Sequence, residues 1–268
     1  MTENRMTDPA FLRGDQYKDS DNLYARIALH ELFSSNPENW FRWLFDRFQL
    51  PETARVLEVG CGPGDLWASN QDRIPENWEL TLTDLSEGML FKTRKRLGAI
   101  PMRLCCTSVD RLSFPEDCFN VVIGNHMIYH APDLERALSE IRRVLSPGGK
   151  VITATNGKDH LKELYEIITG FDPSYQVQAG QINYTLESGE ELLANAFHHV
   201  HRYDFPNNLQ ITEAELLLEY TFSLWSINQE YFQQNREQYR AYLQSMLDEK
   251  GSIFIQKSVG VLIATNPK

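Results

Sequence analysis

Apolar and polar positions along the chain fall into distinct textures. From Ser20 to Phe48 they recur with helical spacing. Leu23, Ile27 and Leu32 form one stripe, and Trp40, Trp43, Leu44 and Phe48 form another after a break at Asn36-Pro37. Pro51 closes this region. Short apolar runs then alternate with helix-like stretches. Residues 55–60, 79–84, 101–106, 119–124 and 150–155 predict five strands, the third the weakest. Between the last two, Leu134 to Leu145 predicts an amphipathic helix closed by Ser146-Pro147-Gly148-Gly149. Strand–helix alternation over about 100 residues implies an α/β protein, a parallel sheet with helices on both faces.

After residue 160 the texture changes. Leu161 to Thr169 and Ser188 to Phe197 predict helices, Val200 to Phe205 a strand, and 212–250 strongly helical structure. Ser252 to Ile255 and Val259 to Thr265 predict two closing strands joined by Gln256-Lys257-Ser258. The organisation is a helical cap over 1–50, an α/β core over 51–160, a helical lid with one strand over 161–250, and strands over 251–268 that complete the sheet. Repeats and low-complexity segments are absent.

Composition narrows the class. The 268 residues carry 26 basic and 37 acidic side chains, a net charge of −11, and 42% are hydrophobic. This is a foldable composition, not a disordered or fibrous one. The acidic balance argues against a nucleic-acid partner, which needs a basic stripe, and against an anionic membrane surface. The basic run Lys92-Thr93-Arg94-Lys95-Arg96 reads as the solvated face of a helix. Cys61, Cys105, Cys106 and Cys118 form no CxxC pair and read as reduced thiols. The polar start of the chain has no signal-peptide pattern, and no apolar stretch approaches the ~18 residues of a membrane helix. A cytoplasmic location is expected.

The chemistry concentrates in Val56-Leu57-Glu58-Val59-Gly60-Cys61-Gly62-Pro63-Gly64-Asp65. A buried strand ends in a glycine-rich turn that opens a helix, the place where doubly wound sheets bind ligands. Dinucleotide binding needs G-x-G-x-x-G, with helix N–H groups aimed at a pyrophosphate. Here the spacing is G-x-G-x-G, and Asp65 stands where the last glycine belongs, a carboxylate that repels phosphate. With Glu58 on the strand, this favours a phosphate-free cofactor bearing a cationic amine. Asp84, at the end of the second strand, suits ribose hydroxyls in either class.

Residues 58–64 resemble motif I of class I S-adenosylmethionine-dependent methyltransferases. Residues 82–90, 108–120, and 125–133 followed by 142–149 are similar to later motifs of that family, in the small-molecule type that includes ubiquinone/menaquinone methylases. The resemblance covers about residues 15–160 well and the last strand pair moderately. It implies a Rossmann-like sheet of seven strands, mostly parallel, with one strand reversed near the C-terminus. It further implies S-adenosyl-L-methionine as donor, with S-adenosyl-L-homocysteine as product. Gly60, Cys61 and Gly62 would line the methionine part by backbone contact, and Glu58 would support its amino end. Asp84 would bind the ribose, Leu85 and Met89 the adenine face, and Val109 and Asp110 the adenine edge. Asn125 and His126 would lie under the sulfonium. Core packing is the competing reading for Val109, Leu85 and Met89, and a turn cap for Asp110.

Methyl transfer from a sulfonium depends chiefly on positioning the acceptor, and a hydroxyl or ammonium acceptor must also lose a proton. His126 and His130 follow the fourth strand. Tyr17 resembles the tyrosine that phosphoethanolamine methyltransferases fold over the donor, paired with a histidine at the place of His130. His130 with Tyr17, and then His126, are the catalytic candidates. No basic cluster for a phosphate is legible in the lid. Neither the His126/His130 pair nor His198-His199-Val200-His201, where His199 and His201 would share one strand face, supplies a full metal ligand set. Tyr220, Phe222, Trp225, Tyr231, Phe232, Tyr239 and Tyr242 are either lid core or the wall of an acceptor pocket. The expected function is methylation of an oxygen or nitrogen on a small-molecule metabolite. The rivals are a non-catalytic donor-binding protein and a nicotinamide-dependent oxidoreductase.

Overall fold

The computed structural model describes residues 29–30, 32–174, 182–224 and 227–267. The first five strands are β1 (Ala54–Val59), β2 (Trp78–Asp84), β3 (Met102–Cys106), β4 (Phe119–Asn125) and β5 (Leu145–Asn156). They pair in parallel. Four more follow: β6 (His198–Asp204), β7 (Asn207–Ile211), β8 (Ile253–Lys257) and β9 (Val259–Thr265). The main sheet has seven strands in the order β3-β2-β1-β4-β5-β9-β6, and β9 runs antiparallel to both neighbours. The chain therefore moves outward from β1 to β3 and returns to β4. That reversal leaves a crevice at the carboxyl ends of β1 and β4, the switch point where open α/β sheets take ligands.

Helices cover both faces. On one side lie α1 (Trp40–Phe45), α2 (Asp65–Ala68) and α3 (Glu87–Arg96), where Trp43, Leu44, Trp67 and Leu90 meet Val56, Leu82 and Ile152 of the sheet. On the other lies α4 (Leu134–Val144). Its apolar stripe of Ala137, Leu138, Ile141 and Val144 is buried, and Asp133 caps it by accepting from the Arg136 amide at 2.9 Å. A third core packs α5 (Lys162–Phe171) and, beyond α6 (Leu186–Ala196), the helices α7 (Ala214–Phe222), α8 (Gln229–Gln234) and α9 (Arg236–Lys250) against the ribbon of β7 and β8. α6 itself packs on the sheet face shared with α4.

Several expectations need correction. The two closing strands do not both complete the sheet, because β8 pairs with β7 in a separate ribbon and only β9 joins β5. The physical difference is in the pattern. Ile253 and Ile255 are buried in alternation with exposed Phe254 and Gln256, a one-faced ribbon, whereas β9 is buried almost continuously as a sheet interior requires. The lid consequently contributes two strands rather than one. Within β6 the register shifts between His198 and His201, and His199 takes a left-handed φ of 53°. This bulge breaks the alternation that would set His199 and His201 on one face. Leu32 is 65% exposed, and Leu29 and Phe33 are the buried positions of that segment; Leu23 and Ile27 lie outside the described residues. No helix among the described residues is long and apolar enough to cross a membrane.

Candidate functional site

β1 carries the site because its last residues are forced into a tight turn. Gly60, Gly62 and Gly64 all have positive φ. At Gly60 a Cβ would lie 2.8 Å from the Cβ and Cγ of Met127, so only glycine fits between the turn and the segment after β4. The turn is tied to β2: the Cys61 amide donates to the Thr83 carbonyl at 2.8 Å, and the Gly62 amide to Asp84 Oδ2 at 2.9 Å. Asp84 Oδ1 accepts from the Ser86 amide at 2.8 Å. Thr93 on α3 donates to the Gly62 carbonyl at 2.7 Å. A cavity of about 300 Å³ opens over this turn, bounded by β1, β2 and β4 and roofed by Trp40 and Phe41 of α1.

The floor of the cavity is acidic. Glu58 is 1% exposed, and Trp67 Nε1 donates to its Oε2 at 2.6 Å. Burial pushes its carboxyl up to about 8, against the Trp67 hydrogen bond, and the charges of Asp84 and Asp65 push the same way. Burial also raises Asp84, opposed by the amides of Ser86, Gly62 and Leu85. It raises the Cys61 thiol as well, so no thiolate is available there. Asp65 differs, because Arg96 of α3 pairs with it and offsets part of its repulsion toward phosphate. The stronger argument against a pyrophosphate is Glu58 with Asp84, together with an α2 of only four residues, which offers little dipole.

Basic groups gather at the opposite wall. The turn after β4 holds His126 at a left-handed φ of 54°, with its amide donating to the Ala154 carbonyl of β5 at 2.9 Å. Non-glycine residues in this region store strain that the surrounding structure must hold. Trp40 packs on His126, with ring centroids 5.3 Å apart, and its Nε1 donates to Asn125 Oδ1 at 3.3 Å. Burial first, and then the charges of Lys257 and His130, lower His126 to about 4. His130 ends the short turn Ile128–His130, its ring against Tyr129 at 4.5 Å. Behind them lie His160, lowered to about 3 by burial and by Lys257 and His126, and Lys257, lowered by burial to about 8.

Eleven of the expected positions line the cavity: Glu58, Gly60, Cys61, Gly62, Asp84, Leu85, Met89, Val109, Asn125, His126 and His130. Asp110 does not, and its backbone carbonyl accepts from Arg136 Nε at 2.9 Å. Tyr17 lies outside the described residues. Sequence reasoning missed the roof residues, Trp40, read as part of a helical stripe, and Phe41, and the half-buried His160 and Lys257. His160 was traceable in principle, since it follows the carboxyl end of a strand where ligands bind. Lys257 was not, because it was read as part of the link between the two closing strands, whereas it ends β8.

Fold and cleft define an α/β architecture with a cavity over an acidic floor at the switch point of its sheet. Residues 56–149 match the family model described as a methyltransferase domain. The chain is 31% identical over 130 residues to the demethylmenaquinone methyltransferase of Symbiobacterium thermophilum, covering 47% of this chain and 52% of that protein. It is 35% identical over 111 residues to the malonyl-[acyl-carrier protein] O-methyltransferase of Halorhodospira halophila, covering 41% of this chain and 37% of that one. The chain thus spans about half the length of the curated relatives it matches. Among solved structures, the Haemonchus contortus phosphoethanolamine N-methyltransferase 2 superposes with a TM-score of 0.58 at 20% identity, over 100% of this chain and 61% of that one. The YcgJ protein of Bacillus subtilis superposes with a TM-score of 0.56 at 15% identity, over 85% and 98%. Residues 56–149 are therefore a class I S-adenosylmethionine-dependent methyltransferase domain, similar to that of the ubiquinone/menaquinone methylases.

Proposed function

We propose that the protein is a methyltransferase that uses S-adenosylmethionine to methylate an oxygen or nitrogen of a small-molecule acceptor, with His130 as general base. One observation carries the reading: a buried carboxyl raised to about 8 and a second raised carboxyl, Glu58 and Asp84, share the floor of a cleft at the switch point. Such a floor suits a ligand bearing an ammonium and a sulfonium and disfavours a pyrophosphate. The Gly60 turn fits the same ligand, because backbone approaches there without any side chain between.

The bound donor supplies a methyl group on a sulfonium, open to in-line displacement. The chain's own residues would do the rest. The Gly60-Cys61-Gly62 backbone and Glu58 hold the amino-acid end. Asp84, pre-oriented by the amides of Gly62 and Ser86, takes the ribose hydroxyls. Leu85 and Met89 pack on the adenine face, Val109 meets its edge with Asp110 nearby, and Asn125 lies under the sulfonium. An oxygen or nitrogen acceptor must shed its proton, and two histidines stand at this end of the cleft. His126, at about 4, is uncharged at neutral pH and serves as an orienting neutral ring. His130, in partnership with Tyr17, is the base. Relatives named for carbon and for oxygen methylation both match this chain over the domain.

The first test is calorimetric titration with S-adenosylhomocysteine and, in parallel, NADH. Binding of the first without heat from the second is the expected result. NADH binding alone overturns the reading.

A further inference from the structure

We propose that Asn125, oriented by Trp40, selects an oxygen rather than a nitrogen as the methyl-accepting atom. The inference rests on the methyltransferase reading above and narrows its acceptor class.

Chemistry fixes the sense of the Asn125 amide. Trp40 Nε1 lies 3.3 Å from Asn125 Oδ1. An indole N–H only donates, so the carbonyl end of the amide must face it. Nδ2 is then the other end, and it makes no hydrogen bond to any described residue. Asn125 lines the cavity, and it is the only carboxamide among the described lining residues. The cavity thereby has a neutral donor, Nδ2, at the carboxyl end of β4.

Both partners are held in place. Trp40 stacks on buried Trp43 with centroids 5.3 Å apart, meets buried Phe205 edge-on at 5.4 Å and packs on His126 at 5.3 Å. Its helix, α1, is tied down at both ends of the first turn. Asn39 Oδ1 accepts from the Phe41 and Arg42 amides at 2.9 and 3.1 Å, and Asn70 Nδ2 donates to the Phe41 carbonyl at 3.1 Å. Asn125 pairs in register with Ala154 of β5, whose carbonyl also accepts from the His126 amide. The segment that follows abuts the Gly60 turn, where Met127 stands 2.8 Å from the place of a Gly60 Cβ. Asn125 is thus set where the β4 segment meets the donor's turn, beside the methyl group in the proposed complex.

A preorganised donor at that place discriminates between nucleophiles. A hydroxyl oxygen has two lone pairs, so one can attack while the other accepts from Nδ2. A neutral amine has a single lone pair, which the attack uses, and its N–H groups need acceptors. The Asn125 carbonyl is already turned to Trp40, and Nδ2 would meet the amine donor to donor. In the step this implies, the hydroxyl proton passes to His130 and one oxygen lone pair forms the new bond to the methyl carbon. The carbon–sulfur bond breaks with its electron pair left on sulfur, and the second oxygen lone pair accepts from Asn125 Nδ2.

The test uses analogues of S-adenosylhomocysteine in which a protonated nitrogen replaces the sulfur and carries a 2-hydroxyethyl, a 2-aminoethyl or a propyl arm. Calorimetry on the full chain measures each affinity. The hydroxyl arm should bind about fivefold tighter than the propyl arm, the worth of one hydrogen bond, and tighter than the amino arm. That advantage should vanish in Asn125→Leu. It should fall about twofold or more in Trp40→Phe, which keeps a ring against His126 and loses the N–H. A merely structural role would weaken all the arms alike and leave their ratios unchanged. Melting temperatures show whether the variants fold, and the wild-type order of the arms decides alone if they do not. A hydroxyl arm no tighter than the propyl arm, or weaker than the amino arm, overturns the inference. So do unchanged ratios in both folded variants. In either case S-adenosylhomocysteine binding leaves the donor reading standing. No binding of S-adenosylhomocysteine or of any analogue overturns both.

Discussion

Glu58 makes the sharpest prediction, because a buried carboxyl beneath the proposed site of a cationic ligand must couple binding to protons. In the ligand-free protein its pKa stands at about 8, burial being the main cause. A cationic ligand favours the ionised form, so binding lowers that pKa and expels the proton. If the bound-state value falls below about 5, affinity rises about tenfold for each pH unit up to 8. Between pH 5.5 and 7.5 that amounts to about 100-fold, or ~2.7 kcal/mol. The ligand's own α-amine, with an ordinary pKa of about 8, stays largely protonated over this window and contributes little. Calorimetric titration with S-adenosylhomocysteine, repeated in buffers of different ionisation enthalpy, counts the proton directly. Wild type should release close to one proton per ligand near pH 6.5. Glu58→Gln keeps an acceptor for Trp67 Nε1 and should fold, bind more weakly at pH 7.5 and lose most of the pH slope. The same linkage acts on stability. The folded state holds the Glu58 proton above the ordinary 4.5, so ligand-free stability is full below pH 4.5 and declines as pH rises toward 8. An identical slope in Glu58→Gln would refute this reasoning and shift attention to Asp84, the other raised carboxyl on the floor.

Further outcomes are expected. Gly60→Ala combines a left-handed φ of 64° with a Cβ 2.8 Å from Met127, and should cost about 2–4 kcal/mol, read as a fall in melting temperature with loss of S-adenosylhomocysteine binding. Asp84→Ala removes the proposed ribose acceptor and strands the Gly62 and Ser86 amides, and calorimetry should show donor affinity down about 100-fold or more. His130→Ala should lower turnover about 10²–10⁴-fold at nearly constant donor affinity, once an acceptor is identified, while His126→Ala should cost less. Lys257→Met removes a half-buried ammonium that has no carboxylate partner among the described residues, and should raise stability at pH 7 by about 1–3 kcal/mol in denaturant unfolding. The gain should shrink as pH climbs from 8 toward 10.5, where the wild-type lysine is neutral in the folded state.

The parallel core was legible in the sequence because its strands are buried on both faces and read as continuous apolar runs. Val56-Leu57 and Val121-Val122-Ile123 could hardly be anything else, and helix-period Leu134 to Val144 between β4 and β5 forced a parallel connection. The convergence of the expected site residues on one cavity was legible for a related reason. They come from one local turn, Gly60 to Gly64, and from strand ends, at Asp84 and Asn125, whose convergence follows from strand order alone. Tertiary structure decided what depends on distant segments meeting. Only packing against α5, α7 and α9 separates β8 from β9. Only the cap brings Trp40 and Phe41 over the cleft. The shifted pKa values of Glu58, His126, His160 and Lys257 arise from desolvation, which the whole fold imposes and no local spacing encodes. Sequence periodicity records which face of an element is buried. What that face is buried against is a property of the assembled chain.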